Sequence, residues 1–92
     1  LQHTNIIRLL KVKEEAEGTI FVMEYARGGD LRTHLNRVGP MTDAEARRIM
    51  LQLCEALRYA HGKFIIHRDL KLDNVLLDEF ENVKLGDWGF AG

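Results

Sequence analysis

His67-Arg68-Asp69-Leu70-Lys71-Leu72-Asp73-Asn74 is the stretch on which the reading of this 92-residue chain turns. It gathers acids, two cations and an amide within eight residues, with no clean helical or strand period. Two short apolar segments follow it, Val75-Leu76-Leu77-Asp78 and Val83-Lys84-Leu85. Polar loops held by rigid elements are common seats of function. A further acid, Asp87, comes thirteen residues after Asn74, just past the second segment. If the segments are strands joined by a turn at Glu79 to Asn82, the two ends of that hairpin meet, and Asp87 approaches Asn74. An amide oxygen and a carboxylate on one side of a cleft suit a hard cation such as Mg²⁺, which keeps waters and takes phosphate oxygens as further ligands. Asp69 and Lys71 are two apart, so an extended backbone projects both to one side. A proton acceptor beside a cation for a phosphate oxygen is what phosphoryl transfer requires.

Upstream lies the strongest helical signal. Thr42 can cap a helix over about Asp43 to His61, with Glu45 where a capping box wants it. Ala46, Ile49, Met50, Leu53, Leu57 and Ala60 recur at three- and four-residue steps and form one apolar stripe. Gly62 is expected in the left-handed position that ends the helix. Cys54, beside the stripe, is expected as a small buried hydrophobe. Phe64 to Ile66 reads as a short extended piece. Earlier still, Arg27-Gly28-Gly29-Asp30 breaks the pattern. Asp30 can cap a short helix over Leu31 to Val38, closed by Gly39-Pro40. At the start, Ile6 to Val12 and Thr19 to Tyr25 read as antiparallel strands, with Lys13 to Gly18 turning between them.

Composition sets the outer limits. The apolar fraction is 46% and the charged fraction 29%, ordinary for a globular protein. Thirteen basic residues against fourteen acidic ones give a net charge of −1, which argues against a phosphate-dominated nucleic-acid binder and against a basic membrane patch. Cys54 is the one cysteine, so a reduced, cytoplasmic setting is expected. His3, His34 and His61 have no zinc spacing with it. No apolar run approaches the roughly 18 residues of a membrane span, and no signal-peptide pattern is visible. The chain starts without methionine and stops at Gly92, so further sequence on both sides is expected.

The loop resembles the catalytic loop of the protein kinases, and Asp87-Trp88-Gly89 stands where that family has its Asp-Phe-Gly turn. The resemblance runs the whole length. Leu1 to Leu9 resembles the approach to the fourth small-lobe strand, and Val22-Met23-Glu24-Tyr25 the fifth strand and hinge. Gly28-Gly29-Asp30-Leu31 resembles the start of the first large-lobe helix. It implies an α+β, partial protein-kinase-like fold, incomplete at both ends: residues 1–26 the end of the small lobe and hinge, 27–92 the start of the large lobe.

The resemblance also implies roles. Asp69 would be the catalytic base, Lys71 would steady the transferring phosphate, and Asn74 and Asp87 would hold Mg²⁺. Arg68 would pair with a phosphorylated activation loop. Met23 would be the gatekeeper, the backbone of Glu24 and Ala26 would bond adenine, Asp30 would approach the ribose, and Leu76 would lie under the base. Leu9, His67 and Trp88 would form a packed column. Lys71 points to serine/threonine specificity, and Lys-Leu-Asp-Asn with Gly-Phe-Ala leans toward calmodulin-dependent and AMP-activated relatives. ATP, Mg²⁺ and a protein with an acceptor Ser or Thr are the implied partners, with no nucleic acid and no membrane. Trp88 departs from the family phenylalanine, bringing bulk and an N–H that wants a partner. The glycine-rich loop, strand lysine and Ala-Pro-Glu segment have no counterpart in the chain, so these 92 residues alone are expected not to transfer phosphate. A nucleotide-binding pseudokinase and a small-molecule phosphotransferase are the alternatives; Lys71 and the Glu-Tyr-x-x-Gly-Gly hinge favour the protein kinases over the latter.

Overall fold

The computed structural model describes residues 3–63, 65, 67 and 70–86. In chain order these form strands β1 (Leu9–Glu15) and β2 (Gly18–Met23), a two-residue strand β3 (Gly29–Asp30), helices α1 (Leu31–Val38) and α2 (Asp43–Gly62), a 3₁₀ turn (Leu72–Asn74), and strands β4 (Val75–Leu77) and β5 (Val83–Leu85).

Helix α2 forms as its residues dictate. Thr42 has an extended backbone, and its Oγ1 accepts the Glu45 N–H at 3.2 Å. Asp43 and Glu45 place negative charge at the positive end of the helix dipole. Ile49, Ala56 and Ala60 are buried, with Leu53 and Leu57 packed beside them. The stripe is narrower than the spacing suggests, because Met50 is 55% exposed. At about 3.6 residues per turn, Cys54 falls roughly two fifths of a turn off the Ile49–Ala56–Ala60 line, and it is exposed rather than buried. Gly62 does not take the left-handed conformation. The helix runs through it, and Lys63 caps the end with φ −97°, donating its N–H to the Ala60 carbonyl at 3.0 Å.

Strands β3, β4 and β5 make one antiparallel sheet in that order. Val75, Leu77, Val83 and Leu85 project to one face and are buried against Ile6, Leu31, Ile49 and Ala56. This is the core. Leu76 and Lys84, the alternate positions, take the opposite face, as strand alternation requires. The β4–β5 turn is fixed twice over. Asp78 Oδ1 accepts from the Phe80 and Asn82 N–H groups at 2.8 and 2.9 Å. From α2, Arg48 donates to the carbonyls of Glu81 (2.9 Å) and Phe80 (3.1 Å) and to Asn82 Oδ1 (2.7 Å). Gln52 accepts the Val83 N–H at 2.6 Å and donates to Asn82 Oδ1 at 2.9 Å.

Strands β1 and β2 pair as a hairpin whose residues are all exposed. Its turn is tighter than expected. Lys13, Glu14 and Glu15 stay in β1, and the chain reverses at Ala16-Glu17 into Gly18, where φ is 144°. Ile6 and Ile7 are not part of β1. They are buried and lie along β5 instead, with Ile7 N–H donating to the Leu85 carbonyl (3.0 Å) and Leu85 N–H to the Asn5 carbonyl (2.8 Å). The buried Asn5 side chain adds a bond from Nδ2 to the Val83 carbonyl at 2.9 Å. Among the described residues no helix is long and apolar enough to cross a membrane.

Candidate functional site

Two of the segments singled out from the sequence are pinned together at one residue, Gly86. His67, 4% exposed, has Nε2 2.7 Å from the Gly86 carbonyl oxygen. The Gly86 N–H donates to the Asn74 carbonyl at 2.9 Å. His67 and Asn74 therefore share one anchor, Gly86. Asn74 is buried, at the end of the 3₁₀ turn that the Asn74 N–H closes onto the Lys71 carbonyl at 2.9 Å. Lys71 is extended and exposed just before that turn. The hairpin expected to bring its ends together is present, and it does so at Asn74 and Gly86. Arg68, Asp69, Asp87 and Trp88 lie outside the described residues.

A second set of residues lines up across the three-stranded sheet. Asp30 on β3 stands opposite Leu76 on β4, and Leu76 opposite Lys84 on β5. Opposed residues of an antiparallel pair share a face, so the three form one row. Asp30 also caps α1. Its Oδ1 accepts the Thr33 N–H at 2.8 Å and Oδ2 the Thr33 hydroxyl at 3.0 Å. These bonds, the backbone one first, hold the Asp30 carboxyl below the ordinary carboxylate range. Leu76 is half-buried and packs close above Gly86. A Cβ built on Gly86 would stand 3.1 Å from Leu76 Cδ1 and 3.6 Å from Ile7 Cγ1.

Close approach explains Gly28. Its N–H donates to the Leu77 carbonyl at 2.8 Å, and a Cβ there would meet the Asp78 and Leu77 carbonyl oxygens at 2.7 and 2.8 Å. Gly29 has φ 73°, in the left-handed region that favours glycine. The two glycines let the crossover touch β4 and then turn into the Asp30 cap.

Met23, at the end of β2 opposite Leu9, is 52% exposed. Leu9 is 49% exposed, on the β1–β2 hairpin. Glu24 is half-buried and Ala26 buried, and the Ala26 carbonyl accepts the Gly29 N–H at 3.2 Å. Sequence reasoning missed Lys84, whose Nζ lies 3.6 Å from Glu24 Oε1. The signal was there: a lysine in the middle of Val-Lys-Leu marks the face turned from the core. It also missed Arg48 and Gln52, which hold the hairpin turn and look like ordinary polar positions on a helix. Among the described residues no group of three His, Cys, Asp or Glu side chains is placed to hold a metal ion.

Comparisons with known proteins identify the family. The family described as "Protein kinase domain" matches residues 1–92. Testis-specific serine/threonine-protein kinase 3 of Mus musculus is 46% identical over 92 residues, 99% of this chain and 34% of that protein. CBL-interacting protein kinase 11 of Oryza sativa subsp. japonica is 40% identical over 91 residues, 99% of this chain and 18% of that protein. Serine/threonine-protein kinase SIK2 of Gallus gallus is 41% identical over 91 residues, 99% of this chain and 11% of that protein. The chain thus spans about a third or less of the length of these curated relatives. A match along the full 92 residues, joined to the Gly86 anchor and the Asp30–Leu76 row, makes the chain a member of the protein kinase domain family.

Proposed function

We propose that this chain supplies the hinge, the catalytic loop and the metal-binding residues of a serine/threonine protein kinase, which transfers the ATP γ-phosphate to a Ser or Thr hydroxyl of a protein. The observation that carries the reading is the double attachment of Gly86, to His67 Nε2 and to the Asn74 carbonyl. It ties His67, at the start of the loop, and the Asn74 backbone, at its end, to Gly86, the residue before Asp87. In this reading residues 1–26 end the small lobe and 27–92 begin the large lobe.

Each residue type fits its role. Asp69 accepts the proton of the substrate hydroxyl as general base. Lys71 carries a point charge for a phosphoryl oxygen, where negative charge is spread in the transition state. The Asn74 amide oxygen and Asp87 carboxylate are hard donors of the kind Mg²⁺ takes, and bound Mg²⁺ would neutralise charge on the phosphates. The backbone of Glu24 and Ala26 bonds the adenine edge beside Met23. Leu76 offers an apolar floor to the base, and Asp30, in the same row, faces the ribose. ATP chemistry and the single cysteine support a cytoplasmic setting, and the near-zero net charge supports neither nucleic acid nor membrane as a partner.

The test is phosphate transfer from radiolabelled ATP to Ser/Thr peptides by the full-length protein carrying this segment. Transfer that needs Mg²⁺ and falls by roughly a hundredfold or more in Asp69→Asn is expected, the size of a general-base contribution. Equal transfer by Asp69→Asn, or transfer to a small molecule in place of a peptide, would defeat the proposal.

A further inference from the structure

Where β2 gives way to the 24–26 crossover, the antiparallel ladder ends in an unusual way. The Glu24 N–H donates to the Arg8 carbonyl at 2.9 Å. In an ordinary hydrogen-bonded pair the return bond runs from the Arg8 N–H to the Glu24 carbonyl. Here the Arg8 N–H donates to the Glu24 side chain, at 2.9 Å from Oε1. The carboxylate thus stands in for the carbonyl of its own residue.

The same oxygen faces Lys84 Nζ at 3.6 Å, and the two side chains are only 18% and 30% exposed. Screening by water is weaker there than at an open surface. Lys84 is the third member of the row Asp30, Leu76, Lys84. Glu24, just past the end of β2 and outside that sheet, meets Lys84 there, so the crossover and the row that holds Leu76 are tied by one ion pair.

We propose that the Glu24 carboxylate, held by Lys84, is a positioning residue for nucleotide. By taking the Arg8 N–H it releases the Glu24 carbonyl from the ladder. That carbonyl, with the Ala26 N–H, is then presented as a hydrogen-bonding edge to a purine base lying on Leu76. Lys84 sets where the carboxylate sits, and so how the edge is aimed at the sheet face. The inference rests on the nucleotide-binding reading above, and goes beyond it in giving a role to two side chains rather than to backbone alone.

The experiment measures KM for ATP, kcat and melting temperature in the full-length protein. Glu24→Ala removes the acceptor for Arg8 and is expected to raise KM for ATP roughly tenfold with a much smaller change in kcat, the signature of lost binding rather than lost chemistry. Glu24→Gln keeps an oxygen for Arg8 and loses only the attraction to Lys84. It and Lys84→Met are each expected to raise KM roughly two- to threefold, and the double variant no further, because both remove one interaction. If Glu24→Ala does not fold, Glu24→Gln and Lys84→Met carry the test. A KM for ATP unchanged in all folded variants, or a loss confined to kcat, overturns the inference while leaving nucleotide binding intact. Absence of nucleotide binding by the unsubstituted protein overturns the parent reading, and this inference with it.

Discussion

Gly28→Ala isolates a constraint that the sequence hides behind an ordinary pair of glycines. A Cβ at position 28 would sit 2.7 Å from the Asp78 carbonyl oxygen, 2.8 Å from that of Leu77 and 2.9 Å from Leu77 Cβ. Ordinary contact begins near 3.4 Å, so each contact is some half an ångström or more too short. None of the three atoms is the end of a flexible side chain. Relief must come from the backbone, by opening the Gly28–Leu77 bond and with it the Gly29–Leu77 and Asp30–Leu76 pairing. Overpacking of this kind costs about 2–3 kcal/mol with the strain and the lost bond together. That is a roughly 30- to 150-fold shift toward the unfolded state. In urea, with a slope of about 1–1.5 kcal/mol per molar for so small a unit, the midpoint drops by about 2 M. Gly29→Ala is the control. Its Cβ would meet nothing within 4 Å, and its cost is the left-handed backbone alone, about 1–2 kcal/mol. Refutation is simple to state: Gly28→Ala within 0.5 kcal/mol (about the noise of a surface substitution) of the unsubstituted protein, or milder than Gly29→Ala, means that the crossover does not press on β4.

Two further outcomes follow from the same structure. Arg48→Met removes the donors that hold the Phe80, Glu81 and Asn82 acceptors, and is expected to destabilise by about 1–2 kcal/mol in denaturant unfolding, after allowing for the exposure of the turn. An unchanged midpoint would show that the Asp78 turn needs no help from α2. Asp30→Asn keeps a capping oxygen but no charge. Because the folded Asp30 carboxyl titrates below its ordinary value, its contribution is present above the unfolded pKa of about 3.9 and fades as pH falls through the folded one. Stability of Asp30→Asn should therefore lose that acid-side slope between about pH 4 and the lower folded value, and a parallel pH profile would contradict the cap.

Features fixed by adjacent residues are legible in the sequence. Thr42 with Glu45, and Asp30 before Leu31, carry their own partners three residues on, so both helix starts are written in adjacent residues. Val75–Leu77 and Val83–Leu85 alternate around Leu76 and Lys84, and both strands form there. Features whose partner is remote are not legible in the sequence. Ile6 and Ile7 have strand character, but nothing nearby tells which strand they join, and they join β5. Gly29–Asp30 has no strand pattern at all, and pairs only because Leu77 and Leu76 come to it. Charged Lys13 to Glu15 looked like a turn because strands were expected to be half-buried, whereas this hairpin is exposed on both faces. The candidate site divides likewise. Asn74 and Lys71 are proposed from the residue types of the loop alone, while Lys84, Arg48 and Gln52 make contacts across the fold that no local pattern announces.

The bonds of Asn5 and Ile7 to β5 have a temporal consequence. The Asn5 side chain reaches Val83 across 78 residues of chain, and the neighbouring backbone bonds reach Leu85. As a ribosome makes the protein from its amino end, this segment emerges before β5, so the Val83 and Leu85 groups that bond it are translated later. Its apolar Ile6-Ile7 pair cannot join β5 until β5 has cleared the exit tunnel. Closure over so long a loop carries a large entropic cost and slows docking. The interval before β5 appears is thus the period in which a chaperone would find Ile6 and Ile7 without the strand they lie along.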